Sequence, residues 1–311
     1  MIGDSVEAAY SYLAFGCIDS SGIFSGGNPA AVLILREPMP ALQRSIVAQE
    51  VGLPITAFVL LSPLGSWISY HSASGDEFQV CGHASAAAAR AISDHLGALE
   101  TNFRLSTPLP NFLNISTRVS ESRSEVFVTL PSATTQTCSD AAVRHTLVDM
   151  TGIDGDSIED VATSSVGDVL IALASPVDLH SIELKDELAA EWSRGLGLRG
   201  LLFTSLSERF TYDIETRAFF PALGIPEDVA CGSANCTVAP YWFARLGGRP
   251  QALKVGHPSP TDGGATMGGE MGVILDPAAA TVTIHGAVVP CDSNAVVQAV
   301  RAGTERIARN R

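Results

Sequence analysis

The chain has 311 residues, of which 46% are hydrophobic and 17% charged, so it has enough apolar material for a large core and no compositional sign of disorder. The 19 Lys and Arg against 33 Asp and Glu give a formal net charge of −14 without any basic cluster, which argues against a nucleic-acid partner. The sequence starts without the basic and apolar segments of a signal peptide, and no apolar run is long enough to cross a bilayer, so we expect a cytoplasmic protein with no membrane partner.

The first half of the chain predicts strands and two helices. Strand-like segments, apolar or alternating, occur at Ala30–Leu35, Val59–Leu61, Trp67–Tyr70, Asn111–Ser116 and Ser124–Leu130. A short helix is predicted over 41–51 and a longer one from Gly82 to about His95. The longer helix carries small apolar side chains, mostly alanine, on almost every face. We therefore expect a curled sheet to enclose it.

The second half repeats this mixture of strands and helices. Its predicted strands lie at Asp168–Leu173, Gly200–Thr204, Thr211–Phe220, Leu253–Gly256, Gly272–Leu275 and Thr281–His285. Its predicted helices lie near 141–150, from Gly232 to about Leu246, and from Ser293 to about 308. A polar stretch after Pro131 is the expected crossing between domains. We set an N-terminal domain at 1–130 plus about 293–311, and a C-terminal domain at 131–292.

Two motifs recur at a constant offset of 150 residues. Glu77-Phe-Gln-Val-Cys81-Gly-His-Ala matches Glu227-Asp-Val-Ala-Cys231-Gly-Ser-Ala, with a cysteine at the mouth of a predicted helix in both. The repeat predicts two copies of one fold. It also predicts two facing thiols in one site.

The two cysteines suit proton transfer. The amide N–H groups of a helix start, here Gly82, His83, Gly232 and Ser233, attract a carboxylate and stabilise enolate charge. This location also lowers the pKa of a thiol, so one cysteine could remove a proton while the other delivers one. For one cysteine alone, a small buried residue before a helix is the better explanation, because free cysteine is a commonly buried type.

Other residues near the motifs have both structural and functional explanations. Asp228 could cap the second helix or act as an acid or base. His83 could contact substrate, although a lone histidine is more often structural. Glu77 and Glu227 suit a structural role such as bonding to loop amides. The Gly-Gly-Asn28-Pro turn is explained first by backbone needs.

The sequence predicts neither a metal nor a cofactor. The six cysteines and seven histidines show no Cys-x-x-Cys or Cys/His ligand spacing, and reduced thiols are expected. The glycine-rich segment at 263–269 does not follow a strand-turn-helix unit, so no dinucleotide or phosphate loop is predicted.

Three segments together resemble the phenazine biosynthesis isomerase-like (PhzF) family of the diaminopimelate epimerase-like fold superfamily: Gly27-Asn-Pro-Ala-Ala-Val32, Cys81-Gly-His-Ala84 and Arg217-Ala-Phe-Phe-Pro-Ala-Leu-Gly-Ile-Pro-Glu-Asp-Val-Ala-Cys-Gly-Ser-Ala234. The resemblance implies an α+β fold of two pseudo-symmetric β-barrel-like domains, each wrapped around a central helix, with the site in the cleft between them. It places Asn28, His83, Asp228 and Ser233 near the substrate. It also implies that homodimers are common among such proteins.

One departure from that family bears on mechanism. Where phenazine-type isomerases have a catalytic glutamate, this chain has Ile55, which cannot carry a proton. Epimerase relatives use two opposed cysteines, which Cys81 and Cys231 match. The combination of Cys231 with Ile55 favours a cysteine mechanism over a glutamate mechanism.

The resulting prediction is a cofactor-independent isomerase of the epimerase or racemase type, acting on a small carboxylate or carbonyl compound. Catalytic roles fall to Cys81, Cys231 and Asp228, and substrate binding to Asn28, Gly82, His83, Gly232 and Ser233. The alternatives are a double-bond isomerase or dehydratase using Asp228, and a non-catalytic protein that binds a small acid. A redox-sensing thiol protein is a weaker alternative.

Overall fold

A computed structural model of the chain describes residues 5–107, 112–119, 124–175, 177–248, 252–261 and 264–309. Within these residues, the α-helices are α1 (Ala41–Val51), α2 (Gly82–Leu96), α3 (Ala141–Thr151), α4 (Asp186–Leu196), α5 (Asn235–Arg245) and α6 (Asn294–Arg309). Three-residue 3-10 helices lie at Gly155–Ser157, Leu179–Ser181 and Pro221–Leu223. Among the helices just given, none combines the length and the apolar composition that crossing a bilayer requires.

Strands make up most of the remaining regular structure. They are β1 (Val6–Ala14), β2 (Cys17–Ile18), β3 (Phe24–Ser25), β4 (Asn28–Leu35), β5 (Ile55–Leu60), β6 (Trp67–Ser72), β7 (Glu77–Phe78), β8 (Glu100–Ser106), β9 (Phe112–Val119), β10 (Ser124–Pro131), β11 (Thr135–Thr137), β12 (Ile158–Ser164), β13 (Asp168–Leu173), β14 (Gly200–Leu206), β15 (Ile214–Phe220), β16 (Ile225–Asp228), β17 (Ala252–Thr261), β18 (Gly264–Asp276) and β19 (Thr281–Pro290). Asn111, with which one predicted strand begins, lies outside the described residues.

The chain folds into two compact units. The first unit contains Met1–Gly22, Gly27–Thr129 and His285–Arg311, and the second contains Ile23–Gly26 and Leu130–Ile284. The domains predicted from the sequence, 1–130 plus about 293–311 and 131–292, stay a prediction, because a compact unit is not by itself a part that folds independently.

The strands of the two units pair according to one plan. In the first unit, β1 is antiparallel to β4, β4 is parallel to β5, β5 and β7 are antiparallel to β6, β6 is parallel to β8, and β8 is antiparallel to β9. In the second unit the same series of directions runs through β12, β13, β14, β15, β16, β17 and β18. Two parallel pairs therefore recur at the same places among antiparallel ones. This order is what a duplicated fold predicts.

Each unit has one helix enclosed by its sheet. In α2 every residue from Gly82 to Ala89 is buried, so this part of the helix is enclosed on every face. The helix contacts β1, β4, β5, β8 and β9, and its alanines are small enough for strands to approach from several sides. In α5 eight of the first nine residues are buried, and the helix contacts β11, β13 and β18.

The opposite face of each sheet packs against two further helices. In the first unit α1 and α6 cover a core that includes Leu33, Phe58 and Val300. In the second unit α3 and α4 cover a core that includes Leu147 and Phe203. Each unit thus has a central helix on one face of its sheet and a helix pair on the other.

Candidate functional site

The first unit places Cys81 at the start of α2. Its backbone is extended (φ −143°, ψ 117°) and its side chain is 8% exposed. The carbonyl of Cys81 accepts the N–H of Ser85, so the regular hydrogen bonding of the helix starts here. The amides of Gly82, His83 and Ala84 consequently have no acceptor within the helix.

The Cys81 thiol contacts a buried histidine, which in turn contacts a buried asparagine. The Sγ atom lies 3.5 Å from His83 Nδ1 and 3.8 Å from His83 Nε2. The side-chain amide of Asn28, the first residue of β4, forms a hydrogen bond with the His83 ring, with 3.1 Å between Nδ2 and Nδ1. The structure thus brings together Asn28, Cys81 and His83, which share a predicted site.

Ile55 faces the same central helix. It opposes Ser72 in β6, and Ala57, two residues on, opposes Tyr70. The hydroxyl of Tyr70 lies 2.7 Å from Ser85 Oγ on α2, so Ala57 and Ile55 lie on the α2 side of the sheet. The position where the resemblance expects a glutamate is therefore filled by a buried aliphatic side chain, 3% exposed.

The second unit places Cys231 before α5 in a tight turn. The prediction that a helix begins at Gly232 is wrong, because α5 begins at Asn235. The amides of Asn235 and Cys236 bond to the carbonyls of Gly232 and Ser233, three residues back, at 3.2 Å each. The turn that carries Cys231 is thus of 3-10 type.

Asp228 does not cap this helix. It is the last residue of β16, and the N-cap of α5 is Ala234, with no capping side chain. The structural explanation of Asp228 as a helix cap is therefore wrong. Its carboxylate instead acts electrostatically on Cys231.

A chain of polar contacts leads from Cys231 into the sheet. Cys231 Sγ lies 3.5 Å from Ser233 Oγ, which accepts a hydrogen bond of 3.1 Å from Arg199 Nη1. Arg199 also donates from Nε and Nη2 to Asp168 at 2.7 and 2.6 Å. Asp168 is fully buried, and it accepts a further bond of 2.7 Å from Thr237 Oγ1 of α5.

The surroundings of the two cysteines follow one plan. In each unit the side chain two residues after the cysteine lies 3.5 Å from the sulfur, His83 in one and Ser233 in the other. In each unit, this side chain is positioned by the first residue of a strand, and the two strands, β4 and β13, occupy equivalent places in the two sheets. Asn28 of β4 does this directly, and Asp168 of β13 does it through Arg199. The two arrangements differ in charge: the second unit uses the Arg199–Asp168 ion pair where the first unit uses the neutral side-chain amide of Asn28.

Burial reverses the predicted effect of the helix start on Cys231. The thiol is fully buried, and burial together with the Asp228 carboxylate raises its pKa well above the usual value. The Ser233 hydrogen bond and the Arg199 charge act in the opposite direction but do not prevail. The expectation of a lowered pKa is therefore wrong for Cys231, which is a thiol at neutral pH. Burial likewise raises the pKa of Cys236 to about 12.

Glu77 and Glu227 both pair with arginine. Arg44 of α1 donates to Glu77 at 2.9 Å, and Arg217 donates from two nitrogens to Glu227 at 2.8 Å each. Arg217 also donates to two backbone carbonyls and is 3% exposed. The two glutamates thus have the structural role that was expected of them, but their partners are guanidinium groups rather than loop amides.

Sequence reasoning missed His257. It is 1% exposed, and Val255, two residues before it in β17, opposes Met271, whose sulfur lies 3.0 Å from the side-chain amide of Asn235 at the start of α5. His257 therefore faces the central helix. Burial lowers its pKa to about 4, although the nearby Asp228 and the Thr216 backbone favour the charged ring. Neither ring nitrogen makes a well-formed hydrogen bond within the part of the chain that the structure describes.

Arg199 and Asp168 were also missed. They belong to no motif, and their distance along the chain from Cys231 hides their proximity to it. Within the described ranges, no three His, Cys, Asp or Glu side chains lie close enough together to hold a metal ion. An open surface cavity of about 510 Å³ in the second unit is lined by α4 and the turn after Pro221 and includes none of the predicted site residues.

Comparison with known proteins gives consistent matches. A family model described as phenazine biosynthesis-like protein matches residues 23–293. An uncharacterized isomerase of Halalkalibacterium halodurans is 29% identical over 226 residues, which cover 71% of this chain and 77% of that protein.

Solved structures match over nearly the whole chain. A phenazine biosynthesis protein of the PhzF family from Enterococcus faecalis matches with a TM-score of 0.69 at 21% identity, covering 91% of this chain and 97% of that one. A hydroxyproline epimerase from Agrobacterium vitis, with bound trans-4-hydroxy-L-proline, matches with a TM-score of 0.54 at 12% identity, covering 92% and 90%. These matches confirm the resemblance drawn from the motifs and the predicted α+β fold of two β-barrel-like domains.

Proposed function

Because the chain belongs to the phenazine biosynthesis-like family, we propose that it is a cofactor-independent isomerase that moves a proton at a carbon next to a carboxylate or carbonyl of a small metabolite. The predicted enzyme class, isomerase, is confirmed by the relatives that bear this name. The observation that carries the proton-transfer proposal is the matched pair of cysteines. Each unit places one buried thiol, with a polar partner at 3.5 Å, in the residues that lead into its central helix.

The proposed roles of the cysteines differ. Cys81 takes the substrate proton, with His83 available to accept the thiol's own proton beforehand. The carbon–hydrogen bond breaks, and its electron pair stays on the substrate as an enolate. Cys231, a thiol at rest, then gives its proton to the opposite face of the carbon and is left as a thiolate. One substrate carbon must therefore reach both sulfurs, in the interdomain cleft that the family resemblance implies.

Four other predicted residues would bind and orient the substrate. The amide of Gly82 lies at the start of α2, and that of Gly232 lies in the 3-10 turn before α5. N–H groups in such positions stabilise a carboxylate or an enolate. Asn28 would act through His83, and Asp228 would orient a hydrogen-bond donor of the substrate.

Hydrogen exchange tests this proposal. The protein is incubated in D₂O with a panel of small acids that have a hydrogen on the carbon next to the carboxylate, including both enantiomers of proline and trans-4-hydroxy-L-proline. Proton NMR then measures the loss of that hydrogen. We expect exchange with at least one acid and its loss in Cys81→Ala. In Cys231→Ala the conversion between enantiomers, followed by chiral chromatography, should be lost, because no thiol remains to deliver a proton to the opposite face.

Cys236→Ala is the matched control, because Cys236 is also a buried cysteine and lies in the first turn of α5, five residues after Cys231. It should keep the exchange rate of the unaltered protein. Full exchange in the Cys81→Ala/Cys231→Ala double variant would contradict the proposal. Binding of an acid without any exchange, unaffected by loss of either thiol, would indicate the non-catalytic alternative.

A second candidate is double-bond isomerisation or dehydration with Asp228 as the acid or base. It is favoured by the interaction of the Asp228 carboxylate with Cys231, and by Ile55, which leaves no carboxylate at the position of the family glutamate. This candidate predicts activity that survives loss of one cysteine but not Asp228→Asn. Measuring the three single variants side by side separates the two candidates.

A further inference from the structure

The contacts of Arg199 limit where the hydroxyl hydrogen of Ser233 can lie. A guanidinium group can only donate hydrogen bonds, so Ser233 Oγ accepts the 3.1 Å bond from Arg199 Nη1. The hydroxyl hydrogen of Ser233 must then point to another atom. Cys231 Sγ, 3.5 Å away, is within the range of a hydrogen bond to sulfur.

Arg199 is itself held by a carboxylate and by an aromatic ring. Its Nε and Nη2 atoms donate to both oxygens of Asp168, which is fully buried and also bonded to Thr237. Its guanidinium carbon lies 5.3 Å from the centre of the Phe220 ring. Two parallel bonds to one carboxylate orient a guanidinium group more strictly than a single bond does. The direction of the Nη1 bond to Ser233 is therefore determined by the fold.

We propose that Arg199, anchored by Asp168, is a positioning residue for Cys231: it orients the Ser233 hydroxyl as a donor to the sulfur and so stabilises the thiolate. This inference rests on the proposed function, in which Cys231 gives its proton to the substrate. When Cys231 gives up its proton, the S–H bond breaks and the electron pair stays on sulfur. The Ser233 O–H then donates to the negative sulfur without a change of position.

The local charges explain why such a device is needed. Complete burial and the nearby Asp228 carboxylate both disfavour a negative sulfur. The hydrogen bond from Ser233 and the positive charge of Arg199 act against these two effects. In the first unit the corresponding position is occupied by His83, a group that can exchange a proton with Cys81 itself. The two thiols are therefore not interchangeable.

Alkylation by iodoacetamide at a fixed pH of 8 tests the proposal without any substrate. The reagent is neutral, so the charge of Arg199 does not steer it. Because Cys231 is fully buried, its alkylation rate is the product of the opening of the site and the thiolate fraction. Each rate is therefore divided by the opening of the site in the same variant, measured by hydrogen exchange of the surrounding backbone amides. Mass spectrometry measures the rate at Cys231. We expect Arg199→Met and Ser233→Ala each to lower this rate by about tenfold, the size of one hydrogen bond to a charged group.

The double variant distinguishes positioning from charge alone. If Arg199 acts through Ser233, Arg199→Met/Ser233→Ala should react no more slowly than the slower single variant. Arg199→Lys, which keeps a donor for Ser233, should recover part of the rate. Effects that multiply in the double variant, or an unchanged rate in Arg199→Met, would overturn the proposal.

Arg245→Met is the matched control. Arg245 also packs on an aromatic ring, that of Tyr241 at 5.5 Å, and pairs with Glu159 at 3.1 Å, but it lies at the far end of α5. Its loss should leave the Cys231 rate unchanged. Failure of the proposed function would appear as absent deuterium exchange, whereas failure of this inference would appear only in the alkylation rates.

Discussion

Two of the buried histidines, one in each unit, should make the protein less stable below neutral pH. His71 in β6 and His257 in β17 are each 1% exposed, and burial lowers the pKa of each from 6.5 to about 4. For His71, the nearby Glu77 opposes this effect and Arg44 adds to it. Because each folded pKa lies below the unfolded value, the unfolded chain binds more protons between pH 6.5 and about 4. The stability that the neutral rings provide is complete above 6.5 and is lost as the pH falls through this range.

The size of the effect follows from the same values. At pH 5.5 a histidine of pKa 6.5 is mostly protonated in the unfolded chain, whereas one of pKa 4 is almost entirely neutral in the folded protein. Integrating proton binding between pH 7.5 and 5.5 gives a loss of about 1.3 kcal/mol per histidine and about 2.7 kcal/mol for both. This is a large share of the 5–15 kcal/mol that a domain typically has.

Urea denaturation at pH 7.5 and 5.5 measures the loss. In His71→Leu and in His257→Leu, the difference in unfolding free energy between the two pH values should shrink by about 1.3 kcal/mol each, whatever the absolute stability of the variant. His145→Gln is the control, because the His145 side chain is 79% exposed, and its pH dependence should match that of the unaltered protein. An identical pH dependence in all four proteins would refute the explanation.

Three further substitutions test the packing. Gly200→Ala should destabilise the second unit by about 1–3 kcal/mol, because a Cβ there would lie 2.5 Å from the Phe220 ring; a thermal melting temperature equal to that of the unaltered protein would contradict this. Ala86→Leu should cost about as much, since Ala86 is fully buried in α2, and urea denaturation measures it. Arg217→Met should cost about 3 kcal/mol or more by leaving Glu227 without its ion pair, and adding Glu227→Gln should recover part of that loss in the same assay.

Features that depend on residues close together along the chain, such as the extent of a helix, could be predicted from the sequence. The alanine-rich stretch after Gly82 predicted an enclosed helix, because side chains this small on every face leave room for strands all around. The extents predicted for α1 and α3 agree with the structure within one residue at each end. In contrast α4 was missed, although Asp186 and Glu187 in its first turn and Gly197 at its end are typical of helix termini.

The sequence by itself determined the duplicated fold, the family, and the position of one cysteine before each central helix, because motifs and their spacing are properties of the chain. It did not determine the chemical state of Cys231. That state depends on burial and on the charges of Asp168, Arg199 and Asp228. Asp168 belongs to β13, Arg199 directly precedes β14, and Asp228 belongs to β16, so the three come together only when the sheet forms. Electrostatic energies depend on distances in space and on exclusion of water, and the tertiary structure alone sets both.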